Sequence, residues 1–342
     1  MTSKHLVVVG ASAGGIEALR ELAAGLPASF PAPIAIVLHT SPDSPGVLHE
    51  ILSRSGPLPA VSARNGDRLR PGRIYIAPPD FHLLIEPGVL RITKGPRENR
   101  FRPAIDPLFR SAAQVYGPAT IGVVLTGNLD DGTAGLYAIK QMGGVTVVQD
   151  PHDAMFPSMP RHAIDAVKVD HIVALGELAP LLTTLTSAGE EPRPVPAVPV
   201  LLDTEVRIAK EEDPLKAGVV DVGEPSTFAC PECHGVLLQT KEGGRLRFRC
   251  HTGHAYSAES LLSEISEGIE DALWNAIRSL QEGALLLKEL GGHVDSVHRP
   301  GGGTQLTSRG DELMRQADTL RQMVTSTVEE GREPVGSQER DS

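Results

Sequence analysis

The chain contains few cysteines, few aromatic residues and no excess of positive charge. Its 342 residues include three cysteines and one tryptophan, and aromatic side chains make up 4% of them. All three cysteines lie between residues 230 and 250, which argues against a disulfide framework and favours a local metal site. The formal net charge of −11, without any basic block, argues against nucleic acids and anionic membranes as main partners.

Long apolar runs are also missing. No segment reaches the roughly 18 consecutive apolar residues of a membrane-spanning helix. The first strand begins close to residue 1, without the charged and then apolar stretch of a leader sequence before it. These absences predict a cytoplasmic protein without membrane insertion. Apolar residues make up 40% of the chain, which is enough to bury an α/β core of roughly 180 residues and leave a smaller module.

Short β-branched runs alternate with helical patterns from residue 5 to about residue 185. The clearest strands are "HLVVVG" (5–10), "APIAIVLH" (32–39), "IGVVLTG" (121–127) and "GVTVVQD" (144–150). Such alternation predicts an α/β fold with a doubly wound, mostly parallel sheet. Between residues 56 and 97, frequent Gly and Pro indicate hairpins instead of helices.

The chain is predicted to contain a large first domain, residues 1–188, and smaller units after it. Residues 189–227 are rich in Pro, Glu and Gly, which is typical of a linker. A cysteine-containing hairpin at 228–256 resembles a zinc ribbon. The amphipathic pattern that follows predicts a helical hairpin over 257–330, and 331–342 has the composition of a disordered tail.

The first strand ends in a turn of small residues, "GASAGG" (10–15). A dinucleotide-binding turn would require a glycine where Ser12 stands and an acidic residue where the second strand ends in His39. Tyr137 and Lys140 are one residue too close for the Tyr-x-x-x-Lys pair of short-chain dehydrogenases. The other interpretation is G-x-S-x-G, a turn that exposes a serine hydroxyl and directs free helix amides at a developing negative charge.

Polar residues follow two further buried strands. His39 comes directly after "IAIVL", and "TGNLDDG" (126–132) comes directly after "IGVVL". Because reactive groups gather at the carboxyl ends of parallel strands, a Ser, His and Asp set is predicted at one rim of the sheet. Asp130 and Asp131 are both candidates for the acid, and either could instead cap the helix near Gly132. The chain order Ser, His, Asp differs from that of α/β-hydrolases.

Six segments of the first domain, in the same order along the chain, resemble the catalytic domain of the chemotaxis protein-glutamate methylesterases (CheB). They are "GASAGGIEAL", "IAIVLHTSP", "GDRLRPGRIYIAPPDFHLLI", "RPAIDPLFRSAA", "VVLTGNLDDGTAGL" and "VVQDPHDAMFPSMPRHAI". The resemblance implies that Ser12 is the nucleophile, His39 the general base and Asp131 the orienting carboxylate. The backbone amides of Ala13 and Asn128 are then expected to bind the oxyanion.

The activity implied by this resemblance is hydrolysis of methyl esters on glutamate residues of a chemoreceptor or a similar helical protein. Glutamine deamidation uses the same acyl chemistry and stays open. Ala13, Leu38 and Leu129 stand where the family usually has a hydroxyl residue, Gln and Gly. The family's usual receiver domain does not precede the first strand, so a different mode of control is expected. The alternative is a non-catalytic docking module that binds a signalling partner through the zinc-ribbon-like hairpin and the helix.

The three cysteines form one metal-ligand pattern, Cys230-x2-Cys233-x16-Cys250-x3-His254. Three thiolates and one imidazole fill a tetrahedral zinc ion and leave no position for water. A structural zinc ion is therefore predicted, and no cofactor is expected to be needed for catalysis. His251 is the alternative fourth ligand and His234 a more distant one, whereas the alternative to a metal is a set of reduced, buried thiols.

Overall fold

The computed structural model describes most of the chain, namely residues 5–187, 194–210, 213–221, 223–297 and 303–330. The chain divides into two compact units, Met1–Leu262 and Ser263–Ser342. The predicted disordered tail, 331–342, lies outside the described residues.

The first unit is built on a parallel sheet of seven strands. The first nine strands of the chain are β1 (Leu6–Ala11), β2 (Ile34–Leu38), β3 (Ala60–Ser62), β4 (Ile74–Ile76), β5 (His82–Glu86), β6 (Val89–Thr93), β7 (Thr120–Val124), β8 (Val145–Gln149) and β9 (His171–Val173). Their order in the sheet is β3-β4-β2-β1-β7-β8-β9, and every pair in it is parallel. Strands β5 and β6 form a separate antiparallel hairpin.

Helices cover both faces of this sheet. They are α1 (Gly15–Gly25), α2 (Leu48–Ser55), α3 (Ile105–Tyr116), α4 (Thr133–Gln141), α5 (Ser158–Ala166), α6 (Leu175–Ser187) and α7 (Val200–Ala209). Alternate side chains of β1 point to opposite faces: Val7 and Val9 pack with α1, α2 and α6, whereas Val8 packs with α3, α4, α5 and α7. The predicted doubly wound α/β fold is therefore confirmed.

The region 56–97 contains more than the predicted hairpins. It holds one antiparallel hairpin, β5 and β6, but it also supplies β3 and β4 to the edge of the parallel sheet. Each of these two strands has three residues. Strands this short carry too little periodicity to be told from a turn region by sequence pattern.

A second sheet carries the three cysteines. Its antiparallel strands are β10 (Glu224–Ala229), β11 (Val236–Glu242), β12 (Arg245–Cys250) and β13 (Ala255–Ser257). This C-terminal sheet belongs to the first unit. The backbone N–H of Asn99 donates to the Ala255 carbonyl oxygen at 2.8 Å, and Glu98 forms a bridge with Ala255. The C-terminal sheet thus packs directly on the segment before α3.

The prediction of a linker over 189–227 is wrong for residues 200–209, which form α7. Leu202 and Val206 are buried in the core that contains α3. Six residues of this ten-residue helix are apolar, but the prolines before it and the charged residues after it give the whole segment the composition of a linker. Its stability comes from the partner that it packs against.

A buried group of charged side chains lies where α3, α7 and the C-terminal sheet meet. This charge cluster consists of Glu98, Asp106, Arg110, Glu205, Glu242, Arg247 and Arg249, each with a side chain at most 8% exposed. Arg110 pairs with Glu98 at 2.8 Å, with Glu205 at 3.1 Å and with Glu242 at 3.2 Å. Arg249 pairs with Glu98 at 2.9 Å and also with Glu205.

Two long helices make up the remainder of the described chain, α8 (Ala258–Val297) and α9 (Thr304–Glu330). Within the second unit their apolar side chains pack together, namely Leu273, Ile277, Leu280, Ala317, Leu320 and Val324. These helices occupy the range of the predicted helical hairpin. Among the described residues, no helix is long and apolar enough to cross a membrane.

The burial of α7 can be tested with two valines of that helix. Val206 is 1% exposed and Val200 is 78% exposed. Val206→Ala removes buried methyl groups, so it should lower the free energy of unfolding by about 2 kcal/mol. Val200→Ala, the matched control, should change it by less than about 0.5 kcal/mol. Urea denaturation measures both values, and equal effects would contradict the packing of α7 on α3.

Candidate active site and metal centre

Ser12 stands directly after β1, in the turn that leads into α1. Its backbone N–H donates to the Thr126 carbonyl oxygen at 3.0 Å, which fixes the turn against the end of β7. Gly14 has a φ of +71°, a left-handed conformation that favours glycine. A Cβ on Gly127 would come within 2.8 Å of the Ser12 Cβ. Glycine at these two positions therefore allows the serine to lie close against the neighbouring strand end.

His39 follows β2 and lies beside Ser12. The two strand ends are joined by a hydrogen bond from the His39 N–H to the Ala11 carbonyl oxygen at 3.1 Å. The His39 Nδ1 atom lies 3.2 Å from the Ser12 Oγ, and its Nε2 lies 2.7 Å from an Asp131 carboxylate oxygen. With Nε2–H donating to this carboxylate, Nδ1 is the free acceptor for the serine proton. The ring of Phe101 stacks on the imidazole with a centroid distance of 3.7 Å, which restricts its orientation.

Asp131 is buried, and both of its carboxylate oxygens accept hydrogen bonds. One oxygen accepts from His39 and from the Ile105 backbone N–H at 2.7 Å. The other accepts from the Asn99 side-chain amide at 2.8 Å and from the Asp106 backbone N–H at 3.3 Å. Burial opposes ionisation, but the hydrogen bonds from His39, Ile105 and Asn99 outweigh it and hold the pKa of Asp131 below its usual value. Asp131 is therefore a carboxylate at neutral pH.

Asp130, the other candidate acid, faces a different part of the molecule. Its carboxylate accepts a hydrogen bond from the Ser257 hydroxyl at 2.6 Å. Burial raises the pKa of Asp130. Of the two neighbouring aspartates, Asp131 is the one that the structure brings to His39.

The predicted oxyanion donors, Ala13 and Asn128, both lie next to Ser12 in space or sequence. Asn128 directly follows Gly127, which packs against Ser12. In the part of the chain that the structure describes, neither backbone N–H donates to another backbone group, which the predicted role requires. Leu129 follows with a φ of +60°, a conformation in which glycine would be unstrained.

Ser12 and His39 open into a cleft of about 450 Å³. Its lining consists of Ser12, Ala13, His39, Thr40, Ser41, Pro42, Arg97, Arg100, Phe101 and Arg102. Arg102 is paired with Asp80 at 2.7 Å. The three arginines make the cleft locally basic on a chain whose net charge is −11, which suits an acidic protein surface. Sequence reasoning missed these arginines and Asn99, although the dense polar run from 97 to 102, just before α3, was an available signal.

The four predicted metal ligands also lie together. Cys230, Cys233, Cys250 and His254 place one ligand atom each within 4.8 Å of one another. The Sγ atoms of Cys233 and Cys250 are 3.6 Å apart, and the His254 Nδ1 lies 3.6 Å from Cys250 Sγ and 3.7 Å from Cys230 Sγ. With metal–sulfur bonds of about 2.3 Å, tetrahedral geometry separates two sulfur ligands by about 3.7 Å. The cluster therefore has the dimensions of a site that could bind a metal ion.

The structure distinguishes among the three histidines near the cysteines. His254 belongs to the cluster, and its second ring nitrogen lies 3.3 Å from a Glu232 carboxylate oxygen. His251 is exposed and lies against Gly235, and His234 is exposed as well. The spacing that favours His254 over His251 thus agrees with the positions of the side chains.

Comparison with known proteins assigns the part of the chain that contains Ser12, His39 and Asp131 to one family. The sequence model of the CheB methylesterase family matches residues 7–182. A Leptospira interrogans protein named "Putative protein-glutamate methylesterase/protein-glutamine glutaminase" is 41% identical over 188 residues, which are 55% of this chain and 97% of that protein. A protein-glutamate methylesterase/protein-glutamine glutaminase of Anaeromyxobacter dehalogenans is 42% identical over 182 residues, which are 53% of each protein.

A solved structure is similar over the same part of the chain. The crystal structure of the Thermotoga maritima CheB methylesterase catalytic domain matches with a TM-score of 0.52 and 33% identity. The match covers 54% of this chain and all of that domain. The family match ends at residue 182, before the C-terminal sheet begins.

The metal centre can be tested with two histidines three residues apart. Wild-type protein should contain one metal ion per chain, because the four clustered ligands complete one tetrahedron. His254→Ala should lose most of this metal, whereas His251→Ala, the matched control, should keep it. Elemental analysis of purified protein measures the ratio. Metal loss in the His251 variant alone would contradict the ligand set.

Proposed function

The chain belongs to the CheB methylesterase family, and on this premise we propose that it is a protein-glutamate methylesterase whose nucleophile is Ser12. The observation that supports this proposal most strongly is the continuous hydrogen-bond chain from Ser12 through His39 to Asp131. A hydroxyl, an imidazole and a buried carboxylate in this order are the groups that acyl transfer through a serine requires.

The reaction begins when the Ser12 Oγ attacks the γ-carbonyl carbon of a methyl-esterified glutamate. His39 Nδ1 accepts the hydroxyl proton, and the backbone N–H groups of Ala13 and Asn128 stabilise the negative oxygen of the tetrahedral intermediate. His39 then returns the proton to the departing methanol, which leaves an acyl-enzyme. Water, activated by the same imidazole, hydrolyses this ester and restores the serine.

Asp131 orients the imidazole and stabilises its charged form. Its carboxylate accepts the Nε2–H of His39, which keeps Nδ1 directed at the serine. Because Asp131 also accepts backbone hydrogen bonds at the start of α3, its position is fixed by the fold and not by the substrate. The site therefore does not need to reorganise when a substrate binds.

The substrate class proposed is a methylated chemoreceptor or a similar helical protein. The arginines of the cleft support a substrate whose surroundings are acidic. Glutamine deamidation, which the names of the relatives include, requires only that ammonia replace methanol as the leaving group. The alternative of a non-catalytic docking module gives no reason for a hydroxyl, an imidazole and a buried carboxylate to be aligned.

We further propose that the Cys3His cluster holds a structural zinc ion. Three thiolates and one imidazole are ligands that zinc prefers, and together they leave no coordination position for water or substrate. The ion would stabilise the turns between β10 and β11 and between β12 and β13, where the ligands lie. It would supply no Lewis acid to the ester.

The roles of the two neighbouring aspartates give a sharp test of this mechanism. Ser12→Ala should lower the rate of methanol release from a methylated receptor by about 10³- to 10⁶-fold, and Asp131→Asn should lower it by about 10³- to 10⁴-fold. Asp130→Asn, the matched control, should retain the rate within about fivefold, because its carboxylate does not contact His39.

The same variants show how the proposal would fail. Activity that survives in folded Ser12→Ala would exclude the serine mechanism. A large loss of activity in Asp130→Asn with full activity in Asp131→Asn would contradict the assignment, because Asp130 would then be the residue that orients His39.

A further inference from the structure

Asn99 lies between the Asp131 carboxylate and the C-terminal sheet. It is 1% exposed. Its side-chain amide group donates to an Asp131 carboxylate oxygen at 2.8 Å and to an Asp106 carboxylate oxygen at 3.0 Å. The amide therefore binds the face of Asp131 that is opposite to its contact with His39.

The other polar atoms of Asn99 contact the C-terminal sheet and the start of α8. Its side-chain oxygen accepts from the Ser257 backbone N–H at 2.9 Å and from the Ser260 hydroxyl at 3.3 Å. Its backbone N–H donates to the Ala255 carbonyl oxygen at 2.8 Å. Asn99 has a φ of +49°, which asparagine tolerates better than most residues. The donors on β13 and α8 thus determine which way the amide faces.

A second connection reaches Asp131 from β12. The buried Arg247 donates to the Asp106 carboxylate at 3.0 Å. The backbone N–H of Asp106 in turn donates to Asp131 at 3.3 Å. Both connections end on the same oxygen of Asp131, the one that does not accept from His39.

The C-terminal sheet reaches the catalytic carboxylate without covering the catalytic serine. The cleft beside Ser12 is lined, as far as the described residues show, by side chains from outside the C-terminal sheet. β13 contacts the cleft lining through the Ala255 backbone N–H, which donates to the Arg97 carbonyl oxygen at 3.2 Å. Its contact with Asn99 leads to Asp131 by a separate route that does not pass through Ser12.

We propose that Asn99 is a positioning residue for Asp131. The C-terminal sheet and the start of α8 hold Asn99 in place through Ser257 and Ser260, and Arg247 of the sheet holds Asp106, the other neighbour of Asp131. This inference rests on the proposed function, since it concerns how the general base is oriented. The sheet lies beyond the part of the chain that matches the family. Through these contacts the sheet acts on the orientation of the general base, and hence on turnover.

The Asn99 side chain can position Asp131 because its amide has a hydrogen-bond donor on one side and an acceptor on the other. Its NH2 group must face the carboxylates, and its oxygen must face the donors, for all of these buried polar atoms to be paired. Without the donors of β13 and α8, the amide oxygen would lose its partners and the side chain could turn or bind water. Asp131 would then lose a hydrogen bond and part of its fixed position, and His39 would be oriented less well.

The first test is Asn99→Asp, which keeps the shape of the side chain and its backbone conformation but removes the NH2 donor. We expect kcat for methyl-ester hydrolysis to fall by about 10- to 100-fold with KM changed by less than about twofold. The added negative charge beside Asp131 should favour the protonated form of the His39–Asp131 pair, so the acidic limb of the kcat/KM profile should move to higher pH. The shift of the limb reports the added charge, whereas the fall in kcat at an almost constant KM reports the lost positioning, which a purely structural role would not produce in folded protein.

The second test acts on the sheet through two arginines of β12. Arg247→Met removes the buried contact with Asp106 and should lower kcat by about tenfold without a change in KM. Arg245→Met is the matched control, because Arg245 pairs with the half-exposed Glu259 instead; it should keep kcat within about twofold. Ser260→Ala, a milder change on the Asn99 contact, should lower kcat by about threefold and provides a variant that folds if the others do not.

Each variant is assayed as the full chain, with its melting temperature and metal content measured in parallel. Wild-type kcat and pH profile in folded Asn99→Asp would overturn the role of Asn99. A reduced kcat in Asn99→Asp together with wild-type values in Arg247→Met and Ser260→Ala would overturn the role of the sheet. Wild-type and Ser12→Ala proteins are measured alongside: activity that persists in Ser12→Ala defeats the proposed function, whereas an inactive Ser12→Ala with wild-type Asn99 variants defeats this inference alone.

Discussion

The charge cluster is the constraint that joins the parts of the first unit. Its members come from α3, α7, the C-terminal sheet and the segment before α3, and Arg110 of α3 contacts carboxylates from three of these sources. Buried charges are costly to remove from water, and a pair is tolerated only while every partner is present. Without the C-terminal sheet, Glu98 would keep Arg110 but lose Arg249, and Asp106 would lose its 3.0 Å contact with Arg247. The helix and the sheet thus complete an ion-pair network whose other members, Glu98, Asp106 and Arg110, belong to the α/β domain.

The same cluster explains why strand β12 of the C-terminal sheet has one position relative to the segment before α3 and the start of α3. Arg247 and Arg249 alternate with Phe248 along β12, so both guanidinium groups point to the same side of the sheet. Their carboxylate partners, Asp106 and Glu98, flank Asn99 and the start of α3. A shift of β12 by one residue would bury an apolar side chain against these carboxylates. The ion pairs therefore fix the sheet in the position where it also contacts Asn99.

The sequence was sufficient for the features that depend on local patterns. The rim of the sheet follows from where the strands end, so Ser12, His39 and the pair of aspartates could be located, and the metal ligands follow from spacing. The charge cluster could not be found in this way, because its members lie up to about 150 residues apart and an alternating run such as "RLRFRC" is equally typical of a solvated strand face. Helix α7 was missed for a related reason, since its burial depends on a partner helix distant in sequence.

The metal ligands lie next to residues that contact Asn99 and the charge cluster, so a structural metal site could affect the active site. Four protein ligands would leave a bound zinc ion no open position, which would separate the proposed metal from the ester chemistry. Yet Cys250 directly follows Arg249 of the charge cluster, and His254 directly precedes Ala255, whose carbonyl oxygen accepts the Asn99 N–H. A metal ion held by these ligands would fix the turn between β12 and β13, and these two strands carry the contacts that reach Asp131. A site that binds no substrate can in this way still determine how well the general base is oriented.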